Sequence, residues 1–158
     1  MSSLAFAPRV AVAAGARRAI SLLSPGDVFP RFDHLHDDHH HCVHLHDIVE
    51  PIDGHVTPAM RHVEDLVSFL SGWSPSEPLL VHCWAGISRS TATAFIAACL
   101  HNPDTDEAAI AAELRKASST AFPNERIVGF ADKLLGRRGR MMSAVRSMGR
   151  GEVAVEAS

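Results

Sequence analysis

The run Leu79-Leu80-Val81-His82-Cys83-Trp84-Ala85-Gly86-Ile87-Ser88-Arg89-Ser90-Thr91 constrains this chain more than any other part of it. Its apolar start, without alternation, reads as a buried strand, and a central one. A short turn with one glycine follows. After it comes Thr91-Ala92-Thr93-Ala94-Phe95-Ile96-Ala97-Ala98, small residues suited to a helix packed closely on a sheet. Strand, tight loop and helix in that order build a cradle for an anion. The loop's successive N–H groups curl around one point, and the helix adds its positive end. Gly86 supplies the positive φ that such a loop needs. Cys83 stands at the mouth, where sulfur is expected to react as the thiolate. These residues imply a phosphate site that holds its own nucleophile.

His82-Cys83, five residues, then Arg89-Ser90 is similar to the signature of the cysteine-dependent protein tyrosine phosphatases. With that signature in mid-sequence, the short chain resembles the compact dual-specificity branch. Leu23-Ser24-Pro25-Gly26, His46-Asp47-Ile48 and Pro123-Asn124-Glu125-Arg126-Ile127-Val128 extend the resemblance to small bacterial tyrosine phosphatases, over roughly residues 8 to 145. The resemblance implies an α/β domain of three layers, a central mixed or parallel sheet flanked by helices. It also implies hydrolysis of phosphate monoesters through a phosphocysteine, with no cofactor and no metal.

Within that scheme Cys83 attacks phosphorus, and the loop from Trp84 through Ala85, Gly86, Ile87 and Ser88 to Arg89 holds the phosphoryl oxygens through its N–H groups. Arg89 adds a planar fork that lysine cannot imitate. Ser90 can donate a hydrogen bond to the Cys83 sulfur as it leaves. His82 orients loop carbonyls rather than transferring protons. The family's acid is an aspartate upstream of the cysteine. Asp47, at a strand end, is the candidate, with Asp53 as its competitor. Between Cys83 and Arg89 there is no lysine, arginine or histidine, which favours a substrate with a single phosphate. Phosphotyrosine in a protein fits that best, with phosphoserine or phosphothreonine next. Two other classes stay open: a module that binds phosphorylated partners without turnover, and a sulfurtransferase with an active cysteine in a similar loop.

The 158 residues suit one domain over 1–158, and 46% hydrophobic with 21% charged residues is the balance of a soluble globular chain. A net charge of −3 gives no general attraction to nucleic acid, and no apolar run is long enough to span a membrane. Three cysteines without framework spacing suit a reducing, cytoplasmic setting. Cys42 could pair with an oxidised Cys83, although a small packed residue on a strand is the plainer reading. Residues 1–26 lack acidic side chains, but a folded start is favoured over a targeting peptide.

Further elements follow from pattern. A strand is expected near Ala7–Val12, a short helix around Ala13–Arg18, and strands at Ala19–Leu23 and Cys42–His46. Thr57-Pro58 reads as the cap and first turn of a helix ending at Gly72. Helices are expected from Ser88 to about Leu100, over Asp104–Ala117 with Ala108, Ala111 and Leu114 inward, and after Asn124 with Ile127, Phe130, Ala131 and Leu134 on one face. Trp84 is placed behind the cradle. Residues 137–158, with five arginines, read as a solvated basic tail. Seven histidines between His34 and His46 suggest either a polar loop, adventitious metal binding, or a cationic border to the cleft.

Overall fold

The computed structural model describes residues 1–153. Three strands, β1 (Arg18–Leu23), β2 (His40–His44) and β3 (Leu79–His82), form a parallel sheet in the order β2-β1-β3. The sheet is parallel throughout, and its middle strand is β1, not the strand that leads into the cysteine loop. β1 is buried along nearly its whole length, as a strand covered on both faces must be. The outer edge of β3 is covered by the start of the chain, where Ser2 bridges to His82 and its N–H donates to Val81 O at 3.0 Å. Covering that edge removes an open template for pairing with another chain.

Alternation along the strands divides the core in two. Ile20, Leu22, Val43, Leu45, Val81 and Cys83 face α2 (Met60–Ser71), α3 (Arg89–His101) and the helices behind them, α4 (Glu107–Ala117), α5 (Glu125–Leu134) and α6 (Arg140–Met148). Ala19 and Leu80 face the other way, against Ala7 and Ala11 of α1 (Ala7–Ala13) and Phe32. The result is a three-layer α/β arrangement. Among the described residues, no helix is long and apolar enough to cross a membrane.

Several expectations change here. Ala7–Val12 is helix rather than strand, and no helix follows at Ala13–Arg18. Alanine is the strongest helix former, and Pro8 sits in the first turn where its missing N–H costs nothing. Val12 is exposed. Thr57 does not cap α2; Ala59 does, with its N–H donating to His62 Nδ1 at 2.9 Å. Helix α4 begins at Glu107 after the cap Asp106, which turns Ala108 outward and Ile110 inward. Leu134 is exposed at the end of α5.

The arginine-rich end does not fray over 137–148. The Asp132 carboxylate accepts from the N–H groups of Gly139 at 2.7 Å and Met141 at 2.8 Å, capping α6. Met141, Ala144 and Val145 then pack inward, and Arg137 is buried in an ion pair with Glu107 at 3.0 Å that Arg140 shares at the same distance. Burial alone would raise the Glu107 carboxyl, but its backbone N–H and the two guanidinium groups outweigh that and hold it below the usual range. The remainder of the expected tail, residues 154–158, lies outside the described residues.

Cys42 and Cys83 lie on opposite faces of the sheet with β1 between their strands, so the two sulfurs cannot meet without unfolding the sheet; Cys42 is on a strand as expected but is exposed rather than packed. Cys99 is buried in α3, where desolvation pushes its thiol up to about 12 and leaves it inert.

Candidate active site

Cys83 follows the last residue of β3, and Arg89 is the first residue of α3, so the loop between them spans the C-terminal edge of the sheet. In a parallel sheet that edge is where ligands bind. The Cys83 side chain is 3% exposed, with Sγ 3.2 Å from Ser90 Oγ and accepting from Gly86 N–H at 3.3 Å. Gly86 has φ +75°, and a Cβ there would stand 2.9 Å from the Ser2 carbonyl carbon. Glycine is therefore required twice over, by conformation and by the chain start packed beneath it.

The loop's carbonyls are tied outward. Trp84 O accepts from Leu4 N–H at 3.0 Å, Ile87 O from Phe122 N–H at 2.8 Å, and Ser88 O from Asn124 N–H at 3.2 Å. Cys83 O accepts from His82 Nδ1 at 3.1 Å. The amides behave in the opposite way. Among the described residues, the N–H groups of Trp84, Ala85, Ile87, Ser88 and Arg89 donate to no protein acceptor. Arg89 is itself buried: Nη1 donates to Leu45 O at 2.9 Å and Ser24 Oγ at 3.1 Å, while Nε has no partner among the described residues. Of these donors Arg89 Nε is buried, and a buried donor needs an acceptor; the loop amides open to the cleft, and a tetrahedral oxyanion there could meet several donors at once.

Asp47 enters from the loop after β2. Its Oδ1 accepts from Ser88 Oγ at 2.7 Å and from Asn124 Nδ2 at 2.9 Å. With Cys83, Arg89 and Ser88 it lines a cleft of about 910 Å³, whose walls include Ile48, Ile52, Trp84 and Phe122. Asp53 is exposed in a turn and is not among the residues lining that cleft. Trp84 is 58% exposed at the cleft's rim rather than behind the cradle.

Within the stretch that resembles the phosphatases, and with no stated role at the site, Asn124 was legible as a helix cap. It keeps that role, since Oδ1 accepts from Ile127 N–H at 3.1 Å, and it also holds Asp47 and Ile48 O through Nδ2. Phe122 on the same wall carries no local sequence signal for the site, and Glu125 carries only its place in the stretch that resembles the phosphatases. The histidines between His34 and His46 line none of this cleft. They have separate partners: His41 stacks on Phe69, His44 on Phe29, and His46 Nδ1 accepts from Val56 N–H at 2.8 Å. Among the described residues no group of three or more His, Cys, Asp or Glu is placed to share an ion.

No protein family's sequence profile matches the chain, and no curated protein sequence does. Solved structures do. The human tyrosine phosphatase-like serine/threonine/tyrosine-interacting protein is similar with a TM-score of 0.65 at 18% identity, over 86% of this chain and 89% of that one. Human DUSP28 gives 0.64 at 17% identity, over 87% and 92%. The PTP-2 phosphatase of Cydia pomonella gives 0.59 at 22% identity, over 80% and 76%. The strand, cradle loop and helix around Cys83 thus sit in the fold of the cysteine-dependent tyrosine and dual-specificity phosphatases.

Proposed function

We propose that this protein hydrolyses phosphate monoesters through a phosphocysteine at Cys83, with protein phosphotyrosine as its main substrate class and phosphoserine or phosphothreonine as the next. The observation that carries this reading is the set of five loop amides and Arg89 Nε without protein acceptors beside the Cys83 sulfur. The Cys83 thiolate attacks phosphorus in line, and the bond from phosphorus to the substrate oxygen breaks. The leaving oxygen takes a proton from Asp47. Water then attacks the phosphocysteine and gives a proton to the Asp47 carboxylate as the S–P bond breaks. Ser90 steadies the departing sulfur from 3.2 Å. Loop amides and Arg89 meet the equatorial oxygens, whose charge this chemistry must accommodate, so a metal has no assigned task.

The walls of the cleft support this substrate class. Among the described residues that line the cleft Arg89 is the only cation, which favours a substrate with a single phosphate, although Arg150 stacks on the outer wall residue Phe122 at 5.7 Å. Val49, Ile52, Trp84 and Phe122 are exposed apolar side chains around the opening, suited to an aromatic ring. We take residues 1–158 as a single phosphatase domain, in a reducing cytoplasmic setting that suits three free thiols.

Hydrolysis of p-nitrophenyl phosphate in excess chelator, inhibited by vanadate and abolished in Cys83→Ser, is the expected result. Asp47→Asn should slow phenyl phosphate hydrolysis far more than Asp53→Asn. Binding of a phosphotyrosyl peptide with no turnover between pH 5 and 7 would instead make the protein a binding module.

A further inference from the structure

We propose that Ser21 and His40 are positioning residues, which hold His82 in one tautomer and thereby keep the Cys83 carbonyl turned out of the cradle. The inference rests on the phosphatase reading of Cys83. Its physical basis lies on the sheet face opposite the cysteine. Ser21 in the middle of β1 is fully buried, and its Oγ is 2.6 Å from His82 Nε2 and 2.7 Å from His40 Nε2. His82, also fully buried, places its other nitrogen 3.1 Å from Cys83 O. Three strands thus contribute one residue each to a line of hydrogen bonds that runs from the half-buried His40 to the backbone of the nucleophile.

Donor and acceptor inventories fix the direction of every bond in this line. Cys83 O can only accept, so His82 Nδ1 carries hydrogen. Burial holds the His82 imidazole below its ordinary pKa, so the ring is neutral and Nε2 is a lone pair. Ser21 has a single hydrogen and must give it to that lone pair. His40 Nε2–H then donates to the oxygen of Ser21. The other neutral tautomer of His82 would turn a lone pair of Nδ1 toward the lone pairs of Cys83 O. Freed in that way, the carbonyl could swing its negative end toward the anion that the loop amides hold. Hydrogen bonds in such a line also strengthen one another. Phe32 packs edge-on against both imidazoles.

Shape and hydrogen bonding can be separated with two pairs of variants. Ser21→Thr and Ser21→Val have nearly the same outline and differ by one hydroxyl. His40→Gln keeps an N–H near the position of Nε2, whereas His40→Leu does not, and a half-buried position tolerates both. Two readouts are taken on the full chain: kcat and KM for p-nitrophenyl phosphate, and the alkylation rate of Cys83 by iodoacetamide at pH 7, which needs no turnover. The expected result is a kcat about fivefold to tenfold lower in Ser21→Val than in Ser21→Thr, on the scale of one net hydrogen bond, with KM changed little. His40→Leu should fall below His40→Gln in the same direction, and alkylation should follow the same order. Equal rates within both pairs would overturn the inference. If the Ser21 variants do not fold, the His40 pair decides. A wild-type protein without turnover, in which alkylation still separates the members of each pair, would overturn the phosphatase reading and leave the positioning line standing.

Discussion

Asn124 holds two structures with two atoms, so two substitutions there should separate stability from activity. Its Oδ1 accepts from Ile127 N–H at 3.1 Å and caps α5, while Nδ2 donates to Asp47 Oδ1 at 2.9 Å. Asn124→Ala removes both. Losing the cap costs about 1 kcal/mol, which for a chain of this size lowers Tm by about 2–4 °C. Asn124→Asp keeps an acceptor for Ile127 N–H and adds a charge that the helix N-terminus favours. It also puts a second carboxylate where Nδ2 stood. At a separation of ~3 Å and an effective dielectric of about 20, two such charges repel by about 5 kcal/mol. Asp47 is exposed and has room to turn away, so the strain is released as a displaced acid rather than as unfolding. Asn124→Asp should therefore keep its Tm nearer to wild type than Asn124→Ala does. Its kcat on phenyl phosphate should fall by about 10²–10⁴, the range for losing a general acid, with a smaller fall on p-nitrophenyl phosphate, whose leaving group needs less help. Thermal melts and steady-state kinetics on both substrates test this. Wild-type kcat on phenyl phosphate in Asn124→Asp, or a Tm below that of Asn124→Ala, would refute the reasoning.

Arg89→Lys keeps the charge but loses the fork and the buried Nε, so kcat/KM should drop by roughly 10²-fold or more, as when one oxyanion donor is removed; a variant within tenfold of wild type in steady-state assays would argue against Arg89 as an anion clamp. Gly86→Ala forces an L-residue to φ +75° and drives Cβ to 2.9 Å from Ser2, so chemical denaturation should report a loss of about 2 kcal/mol or more. Burial lowers the pKa of His40, His41, His62 and His82 in the folded protein. Below about pH 6.5 the unfolded chain binds protons that these rings refuse, so stability is complete above that pH and falls as pH drops through it. Melts from pH 8 to pH 5 should show a falling Tm; a flat profile would mean that these rings are not neutral in the fold.

What the sequence made legible was local. The strand, the loop and α3 could be read because their residues are contiguous, and the order of apolar, glycine and hydroxyl residues is itself the geometry. Asn124 announced its cap for the same reason. The second role of Asn124 could not be read, because Asp47 lies far off in the chain and only the fold brings the two together. The end of the chain was misjudged for a similar reason. Arg137 and Arg140 look solvated until Glu107 is placed beside them, and nothing near α6 announces Asp132 as its cap. Ala7–Ala13 failed differently. It was expected as a strand, but alanine's preference for helix and the burial of Ala7 and Ala11 four residues apart decided the segment. The line from Ser21 to His40 depends on strand register, which pairs residues that no spacing rule connects.

The cradle is held from both sides by main-chain N–H groups, those of Ser2 and Leu4 below and of Phe122 and Asn124 above, beside the His82 and Thr91 side chains that also bond its carbonyls. Substitutions at residues 2–4 and 122–123 can therefore vary widely without altering its curvature, since almost any residue presents the same N–H. Insertion or deletion of a single residue in either segment is another matter, because it shifts every donor out of register. The loop should tolerate drift in composition around it and resist any change in length.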